Sequence, residues 1–151
     1  MSTVNEVSKL NDQVIDAWNK HDVPKFLELC DENIVWRDLG NSQPYKGKNG
    51  AKDFFSSWLT GFPDLKIKIV NKVITEDNFA VEVEFTGTNT GPLRVGPDMP
   101  EIAATRKQVS NKGTYFGKVK NGKFIEVRTY PDLAGMLMQL GLLQEPAGSH
   151  V

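Results

Sequence analysis

Residues 109–141 read VSNKGTYFGKVKNGKFIEVRTYPDLAGMLMQLG, and this stretch decides the fold. Apolar and polar residues alternate from Val109 to Val119 and again from Phe124 to Tyr130, which is typical of two half-buried strands. The Asn121-Gly122 pair between them predicts a tight hairpin. Beyond the second strand, apolar residues recur at steps of three and four, which predicts a short closing helix with Gly141 as its C-cap.

The part of the chain before this stretch begins with helices. Apolar residues follow the helical period in three segments, at 4–18, 23–30 and 51–62. Asp22 precedes the second segment and is expected to cap it. Strands are predicted at 34–36, 65–69 and 81–85.

Helices followed by a meander of strands and one closing helix are typical of an α+β fold. We expect a strongly curved antiparallel sheet wrapped on one side by the N-terminal helices. Such a sheet would form a cone with an open mouth, and mouths of this kind are common ligand sites.

The size and composition of the chain restrict its class. Its 151 residues and 16.8 kDa predict a single domain over 1–151, with a core from about 4 to 142 and a tail over 144–151. A net charge of −1 argues against nucleic acid as a partner. The single cysteine, Cys30, cannot form an internal disulfide. Since no apolar run suits a signal peptide or a membrane span, we expect a cytoplasmic protein without membrane contact.

The scarcity of histidine narrows the choice of acid–base residue. The chain has two histidines, His21 at the predicted end of the first helix and His150 near the end of the sequence. Neither is placed for a metal cluster or a Ser-His-Asp arrangement, so no metal site is expected. Cys30 lies on the apolar face of the predicted second helix, as an inert core thiol would. Acid–base chemistry would therefore fall to a carboxylate or a tyrosine.

Each candidate carboxylate has two interpretations. Asp132 stands where the last strand meets the last helix, so it is either an N-cap or a general base in an apolar mouth. An N-cap lowers the pKa of a carboxyl group, whereas an apolar mouth raises it. Asp38 either starts a turn or shares a strand face with Trp36. Glu82 and Glu84 form either the solvent face of their strand or part of a site.

Several segments resemble one known family in their order and spacing. They are Trp36–Gly40, Tyr45–Gly47, Gly61–Leu65, Phe85–Pro92, Arg128–Asp132 and Gln139–Gly141. The most specific part is the closing aromatic-Pro-Asp followed by Gln-Leu-Gly. Over about Val4 to Leu142 the chain is similar to the SnoaL-like polyketide cyclases, which belong to the nuclear-transport-factor-like superfamily.

This resemblance implies a cone-shaped barrel of the nuclear-transport-factor-like, or cystatin-like, type with a deep apolar pocket. It also implies a homodimer formed through the sheet, and chemistry without a metal or an organic cofactor. Characterised cyclases close a ring by intramolecular aldol condensation of a polyketide methyl ester. The acid/base aspartate of the family corresponds to Asp132 and its strand arginine to Arg128, while Tyr115 and Asn89 stand where relatives carry histidine.

We therefore expect a small-molecule enzyme of the ester cyclase or isomerase type that acts on a small apolar or polyketide-like ligand. Asp132 would take a proton from a carbon next to a carbonyl, and Tyr115 would donate a hydrogen bond to the enolate. Arg128 or Asp38 would orient the groups. The expected pocket residues are Trp18, Trp36, Asp38, Trp58, Phe62, Glu84 and Tyr130.

Two alternatives remain open at this level. The first is a non-catalytic domain that binds a small ligand in the same cone. The second is an epoxide or ester hydrolase, which would need Asp38 or Glu84 to face Asp132 across the pocket.

Overall fold

The computed structural model describes residues 2–39, 41–96 and 98–144. Its helices are α1 (Val4–Asn19), α2 (Val23–Glu28), α3 (Gly47–Gly61) and α4 (Leu133–Gln139). Its strands are β1 (Cys30–Asp38), β2 (Tyr45–Lys46), β3 (Lys66–Ile74), β4 (Asn78–Thr88), β5 (Gln108–Lys120) and β6 (Lys123–Pro131). The predicted α+β class is confirmed. The predicted tail, apart from Gln144, lies outside the described residues.

Side-chain caps set the starts of the two N-terminal helices. Thr3 accepts a hydrogen bond from the backbone N–H of Glu6, and Asp22 accepts one from that of Lys25, each at 3.1 Å. The predicted Asp22 cap is therefore confirmed. Cys30, however, does not lie on α2. The carbonyl of Leu29 accepts a hydrogen bond from the backbone N–H of Phe124 at 3.0 Å, so the chain leaves the helix there to pair with β6.

The six strands form one curved, unclosed sheet in the order β2-β1-β6-β5-β4-β3. β3 to β6 form the predicted antiparallel meander. The sheet is not wholly antiparallel as expected, because β1 runs parallel to its neighbour β6. In this register Trp36 lies opposite Val127 and Asp38 lies opposite Thr129. The pair joins two distant parts of the chain, and neither strand's own alternation reveals its partner's direction.

The hairpin between β5 and β6 has the predicted turn. Asn121 and Gly122 adopt positive φ angles of 54° and 72°, as a two-residue type I′ turn requires. This turn sets the start of β6, whose far end leads directly into α4.

The helices cover one face of the sheet, which we call the inner face. α1 packs against β3 and α3 packs against β1. Aromatic rings fill much of the space between them, with Phe55 centred 4.2 Å from Trp18 and 4.6 Å from Phe26. On the outer face, Phe116 and Tyr130 remain 37% and 41% exposed. The inner face is therefore where a buried site can form.

Among the helices that the structure describes, none has both the length and the apolar character needed to cross a membrane.

Candidate active site

A cavity of about 130 Å³ lies between the helices and the inner face of the sheet. Its walls are almost wholly apolar and include Trp18, Phe54 and Trp58 from the helices and Ile67, Val83 and Phe85 from the strands. An apolar cavity of about 150 Å³ is known to hold benzene. The space therefore suits a molecule built around one ring.

Asp38 brings a carboxylate into this apolar wall. It is the last residue of β1, is 7% exposed and lines the cavity. Burial raises the pKa of its carboxyl group from 3.8 to about 6, although a hydrogen bond from Thr129 opposes the rise. A carboxylate with a pKa of about 6 is ionised at neutral pH and is still a useful proton acceptor. Of its two interpretations, the structure supports the one in which Asp38 shares a strand face with Trp36.

The partners of Asp38 hold its carboxylate in place. Oδ1 accepts a hydrogen bond from the Thr129 hydroxyl, and Oδ2 lies 3.4 Å from Nδ2 of Asn41. Nδ2 of Asn41 also donates to the carbonyl of Val95 at 2.9 Å, which ties this end of β1 to the loop after β4. Thr129 lies in the cavity wall beside Asp38 because β1 and β6 are parallel neighbours.

Trp36 lies two residues before Asp38 and lines the same cavity. Alternation along the strand puts both side chains on the inner face. Its ring packs against Phe26 and Phe54, at centroid distances of 5.6 Å and 4.9 Å. Its Nε1 is buried and has no hydrogen-bond partner within the described part of the chain. An indole nitrogen can only donate, so it needs an acceptor.

Tyr115 also lines the cavity, so it shares a hollow with Asp38. Its hydroxyl donates to Oδ1 of Asn11 at 3.0 Å, and Nδ2 of Asn11 donates to the carbonyl of Val7 at 3.0 Å. Burial raises the pKa of Tyr115 well above its usual range. The single hydroxyl proton of Tyr115 is therefore engaged by α1 in this structure.

Asp132 occupies the other of its two expected positions. It is exposed, and its Oδ1 accepts a hydrogen bond at 2.9 Å from the backbone N–H of Gly135 in the first turn of α4. The neighbouring Pro131 lines the cavity, but Asp132 does not. The expectation that its carboxylate lies in the apolar mouth is wrong. The physical reason is local, because a carboxylate just before a helix satisfies an otherwise unpaired backbone N–H.

Arg128, Tyr130 and Glu84 lie on the outer face, and none of them lines the cavity. On β6 the cavity residue Thr129 falls between Arg128 and Tyr130, and on β4 Glu84 falls between Val83 and Phe85. Arg128 donates to Glu126 Oε2 at 3.0 Å, and its guanidinium carbon lies 5.8 Å from the ring centroid of Phe116. These three residues are not brought together with Asp38.

Of the expected aromatic walls, Trp18, Trp36 and Trp58 line the cavity. Phe62 is fully buried behind it, stacked 6.0 Å from Trp58. Asn89, where relatives carry histidine, is buried among loops. Its Nδ2 donates to the carbonyls of Gly61 and Gly91, and its Oδ1 accepts from Thr105. Asn89 therefore has a structural role here.

The remaining nucleophile and ligand candidates lie elsewhere. Cys30 is fully buried, and burial raises the pKa of its thiol to about 12. His21 follows α1 and lies 3.1 Å from the carbonyl oxygen of Leu65, while His150 lies outside the described residues. Residues 2–39, 41–96 and 98–144 contain no group of three or more His, Cys, Asp or Glu side chains placed to hold a metal ion.

Thr129 is the functional candidate that sequence reasoning missed. It belongs to the Arg128–Asp132 segment, but no local signal marks a threonine as the partner of an aspartate 91 residues away. The alternation of β6 could have put Thr129 on the inner face with Val127. Only the parallel pairing puts it next to Asp38.

The fold has close counterparts among solved structures. A SnoaL-like polyketide cyclase candidate from Jannaschia sp. CCS1 is 20% identical, with a TM-score of 0.82, and the match covers 95% of this chain and 98% of that one. TsrD from Streptomyces laurentii is 22% identical, with a TM-score of 0.78 and coverage of 92% and 97%. An NTF2-like protein from Burkholderia xenovorans LB400 is 14% identical, with a TM-score of 0.71 and coverage of 93% and 99%.

These TM-scores show a shared NTF2-like fold. No curated protein matches the chain significantly. A family model described as SnoaL-like polyketide cyclase matches residues 8–140, which is most of the sequence. The chain therefore belongs to the SnoaL-like polyketide cyclase family.

Proposed function

We propose that this protein is a small-molecule enzyme of the cyclase or isomerase type in which Asp38 is the general base. The observation that carries the proposal is a buried carboxylate in the wall of an apolar cavity, with its pKa raised to about 6. Membership of the SnoaL-like family supports a cyclase-type function on a small molecule. The proposal moves the base from Asp132, which caps α4, to Asp38.

The proposed reaction starts at a carbon next to a carbonyl group. Asp38 removes a proton from that carbon, so a C–H bond breaks, an O–H bond forms on the carboxyl group and the electron pair moves onto the carbonyl oxygen. In an isomerase the proton returns at another carbon. In a cyclase the enolate carbon attacks a second carbonyl of the same molecule, and the new alkoxide takes the proton. Neither course needs an organic cofactor or a metal.

The apolar walls support this chemistry in two ways. They exclude water, which strengthens electrostatic interactions with the developing charge. They also favour a small apolar or polyketide-like ligand, because the cavity is lined mainly by aromatic and branched side chains. A positioned general base is worth roughly 10²- to 10⁴-fold in rate.

The structure supports the ligand-binding alternative and the hydrolase alternative to different degrees. An exposed, N-capping Asp132 is the outcome expected for a domain that only binds a ligand, so that alternative keeps some support. Asp38 favours catalysis, because a cavity that serves only to hold an apolar ligand gains nothing from a buried carboxylate. The hydrolase alternative has less support, since Asp38 is the one carboxylate that the described residues bring to the cavity wall.

We also propose a homodimer formed through the outer face. Phe116 and Tyr130 are exposed there, and their ring centroids are 5.6 Å apart. Arg128 and Glu126 form an ion pair beside them. An exposed aromatic pair flanked by both charges can pair with a second copy of itself about a two-fold axis. Sedimentation should show a dimer for the wild type and a monomer for Phe116→Glu, and a wild-type monomer would contradict the proposal.

The catalytic proposal can be tested without knowing the natural substrate. Acetophenone is a one-ring ketone whose methyl protons exchange with solvent through the enolate. We expect the protein to accelerate deuterium uptake by acetophenone in D₂O above the buffer rate, and Asp38→Asn to lower that acceleration by roughly 10²-fold or more. Asp132→Asn should leave it unchanged. Mass spectrometry of the ketone measures the rate, and a wild-type protein that binds acetophenone without accelerating exchange would contradict the proposal.

A further inference from the structure

The hydroxyl group of Thr129 is a partner of Asp38 that the proposed reaction has not yet used. It donates a hydrogen bond to Oδ1 of Asp38, and its Oγ1 also lies 3.4 Å from the carbonyl oxygen of Arg37. A hydroxyl group has one proton to donate and two lone pairs that accept, and it rotates to suit its neighbours. Thr129 can therefore donate to only one of these two oxygens at a time.

The pairing of β1 with β6 fixes the position of this hydroxyl group. Asp38 and Thr129 are direct partners in the parallel register, and the backbone N–H of Leu39 donates to the carbonyl of Thr129 at 2.9 Å. Oγ1 belongs to a β-branched side chain, in which χ1 is stiff. Both acceptor oxygens thus stay within reach of Oγ1, and only the hydroxyl proton has to turn from one to the other.

The two protonation states of Asp38 need different partners. An ionised carboxylate only accepts hydrogen bonds, whereas a protonated carboxyl group has an O–H that needs an acceptor. Asp38 is 7% exposed, so most of this partnership has to come from the protein. Thr129 can serve the ionised state by donating to Oδ1. It can serve the protonated state by accepting from Oδ1 while its own proton turns to the carbonyl of Arg37.

We propose that Thr129 is a positioning residue that binds Asp38 in both protonation states by turning its hydroxyl group between Oδ1 and the carbonyl of Arg37. When the C–H bond of the substrate breaks, its proton forms an O–H bond on Oδ1, and the electron pair moves onto the carbonyl oxygen of the substrate. The new O–H then donates to Oγ1. When the proton returns to the substrate, the hydroxyl group turns back. The inference rests on the proposed function, because it describes how that same base is held during the reaction.

The surroundings of Asp38 leave its ionisation to burial and to Thr129. Burial raises the pKa of Asp38, and the hydrogen bond from Thr129 lowers it. Tyr115 and Lys112 of β5 line the same cavity, and on β2 burial and the charge of Asp38 raise the pKa of Tyr45 to about 12. The cavity residues that α1 and α3 contribute are uncharged. Among the described residues, Lys112 included, no cation forms an ion pair with Asp38. Loss of the Thr129 hydroxyl should therefore raise the pKa of Asp38.

Titration of Asp38 by NMR tests the inference. The ¹³Cγ resonance of Asp38, assigned with Asp38→Asn, should titrate with a midpoint of about 6 in the wild type. Thr129→Val keeps the shape of the side chain but removes the hydroxyl group. It should raise the midpoint by about one pH unit, because a hydrogen bond to a charged acceptor is stronger than one to a neutral acceptor. The acid limb of acetophenone exchange should move to higher pH with it.

Thr129→Ser and Thr86→Val are the matched controls. The serine variant keeps a hydroxyl group, so the midpoint of Asp38 should return to the wild-type value. Thr86 is exposed on β4, where it alternates with the cavity residue Phe85. Thr86→Val makes the same chemical change away from Asp38 and should leave the midpoint unchanged. Near-ultraviolet circular dichroism checks that each variant is folded.

The ¹³C′ resonance of the Arg37 carbonyl tests the turning of the hydroxyl group, and in the wild type this needs no variant. It should move with the same midpoint as Asp38, because the carbonyl gains a hydrogen bond from Thr129 when Asp38 is protonated. In Thr129→Val most of this movement should disappear, since no hydroxyl group is left to turn.

The outcomes separate the inference from the proposed function. If Thr129→Val leaves the midpoint of Asp38 unchanged, the inference about Thr129 is wrong, even when exchange still depends on Asp38. The same holds if the Arg37 carbonyl does not move with Asp38, or moves equally in the valine variant. If all NMR results are as expected but Asp38→Asn exchanges acetophenone protons at the wild-type rate, the base assignment fails and the pairing of Thr129 with both states of Asp38 stands.

Discussion

Two aspartates at the ends of neighbouring strands have different surroundings. Asp38 ends β1 inside the cavity, where it is 7% exposed and accepts a hydrogen bond from the hydroxyl of Thr129. Asp132 follows β6 on the surface, where it accepts a hydrogen bond from the backbone N–H of Gly135. Among the described residues Asp38 has no salt-bridge partner, and its carboxylate is kept from water. The carboxylate of Asp132 stabilises a helix end. The comparison shows that solvation and partners, and not the residue type, decide which carboxylate can act as a base.

The largest difference expected between the two aspartates is in how stability depends on pH. The raised pKa of Asp38 means that its carboxyl group holds a proton more tightly in the folded state than in the unfolded state, where the value is near 3.8. Stability is therefore lost as the pH rises from about 4 to about 6. Relative to Asp38→Asn, the wild-type free energy of unfolding should fall by about 2 kcal/mol between pH 4 and pH 7.

Urea unfolding of both proteins at the two pH values measures this change. Asp132→Asn serves as the control, because the Asp38 carboxyl group is intact in it, and its free energy of unfolding should also fall between pH 4 and pH 7. Parallel stability profiles for wild type and Asp38→Asn would show that Asp38 is not desolvated in the folded protein.

A second prediction concerns Tyr115, which shares the cavity with Asp38 but is engaged by α1. Tyr115→Phe removes the donor to Asn11, a fully buried residue, and should cost about 1 to 3 kcal/mol of stability. Its effect on acetophenone exchange should be much smaller than that of Asp38→Asn. Thermal unfolding together with the exchange assay measures both quantities.

The double variant Asn11→Leu/Tyr115→Phe sharpens this test. Because it removes both partners, it should cost less than the sum of the single variants. A loss of exchange activity in Tyr115→Phe as large as that in Asp38→Asn would support the donor role that the sequence suggested for Tyr115.

The smallest expected effect is at Asp132. Asp132→Ala removes the α4 cap and should lower the free energy of unfolding by about 1 kcal/mol. Asp132→Asn keeps a capping side chain and should change the free energy of unfolding by only a few tenths of 1 kcal/mol. Both variants should retain the exchange rate. Denaturant unfolding and the deuterium assay measure the two effects, and a large loss of exchange in a stable Asp132→Asn protein would restore Asp132 as the catalytic base.

Local sequence patterns predicted much of the fold. The helical period of α1, the Asp22 cap and the Asn121-Gly122 turn all depend on residues close together in the chain, and the structure has them. The same kind of signal misplaced Cys30, because a hydrogen bond from Phe124 to Leu29 ends α2 early. Local preference is overruled where a distant strand offers pairing.

The candidate site was predicted only in part. Trp18, Trp36, Asp38, Trp58 and Tyr115 line the cavity as expected, because alternation and helical period place them on inward faces. The strands that carry Arg128, Glu84 and Tyr130 were predicted well, but these three side chains alternate with the cavity residues and lie on the outer face. Their outward position follows from the alternation of β4 and β6, and for Arg128 the family resemblance outweighed that signal.

The sequence by itself determined the family, the order of helices and strands, and the capping role open to Asp132, because each depends on neighbouring residues or on motif spacing. Only the tertiary structure decided which carboxylate is buried. The parallel pairing of β1 with β6 puts Asp38 beside Thr129, 91 residues later, and the helices close an apolar cavity over both. Desolvation depends on everything that surrounds a group in space, and no stretch of sequence records that.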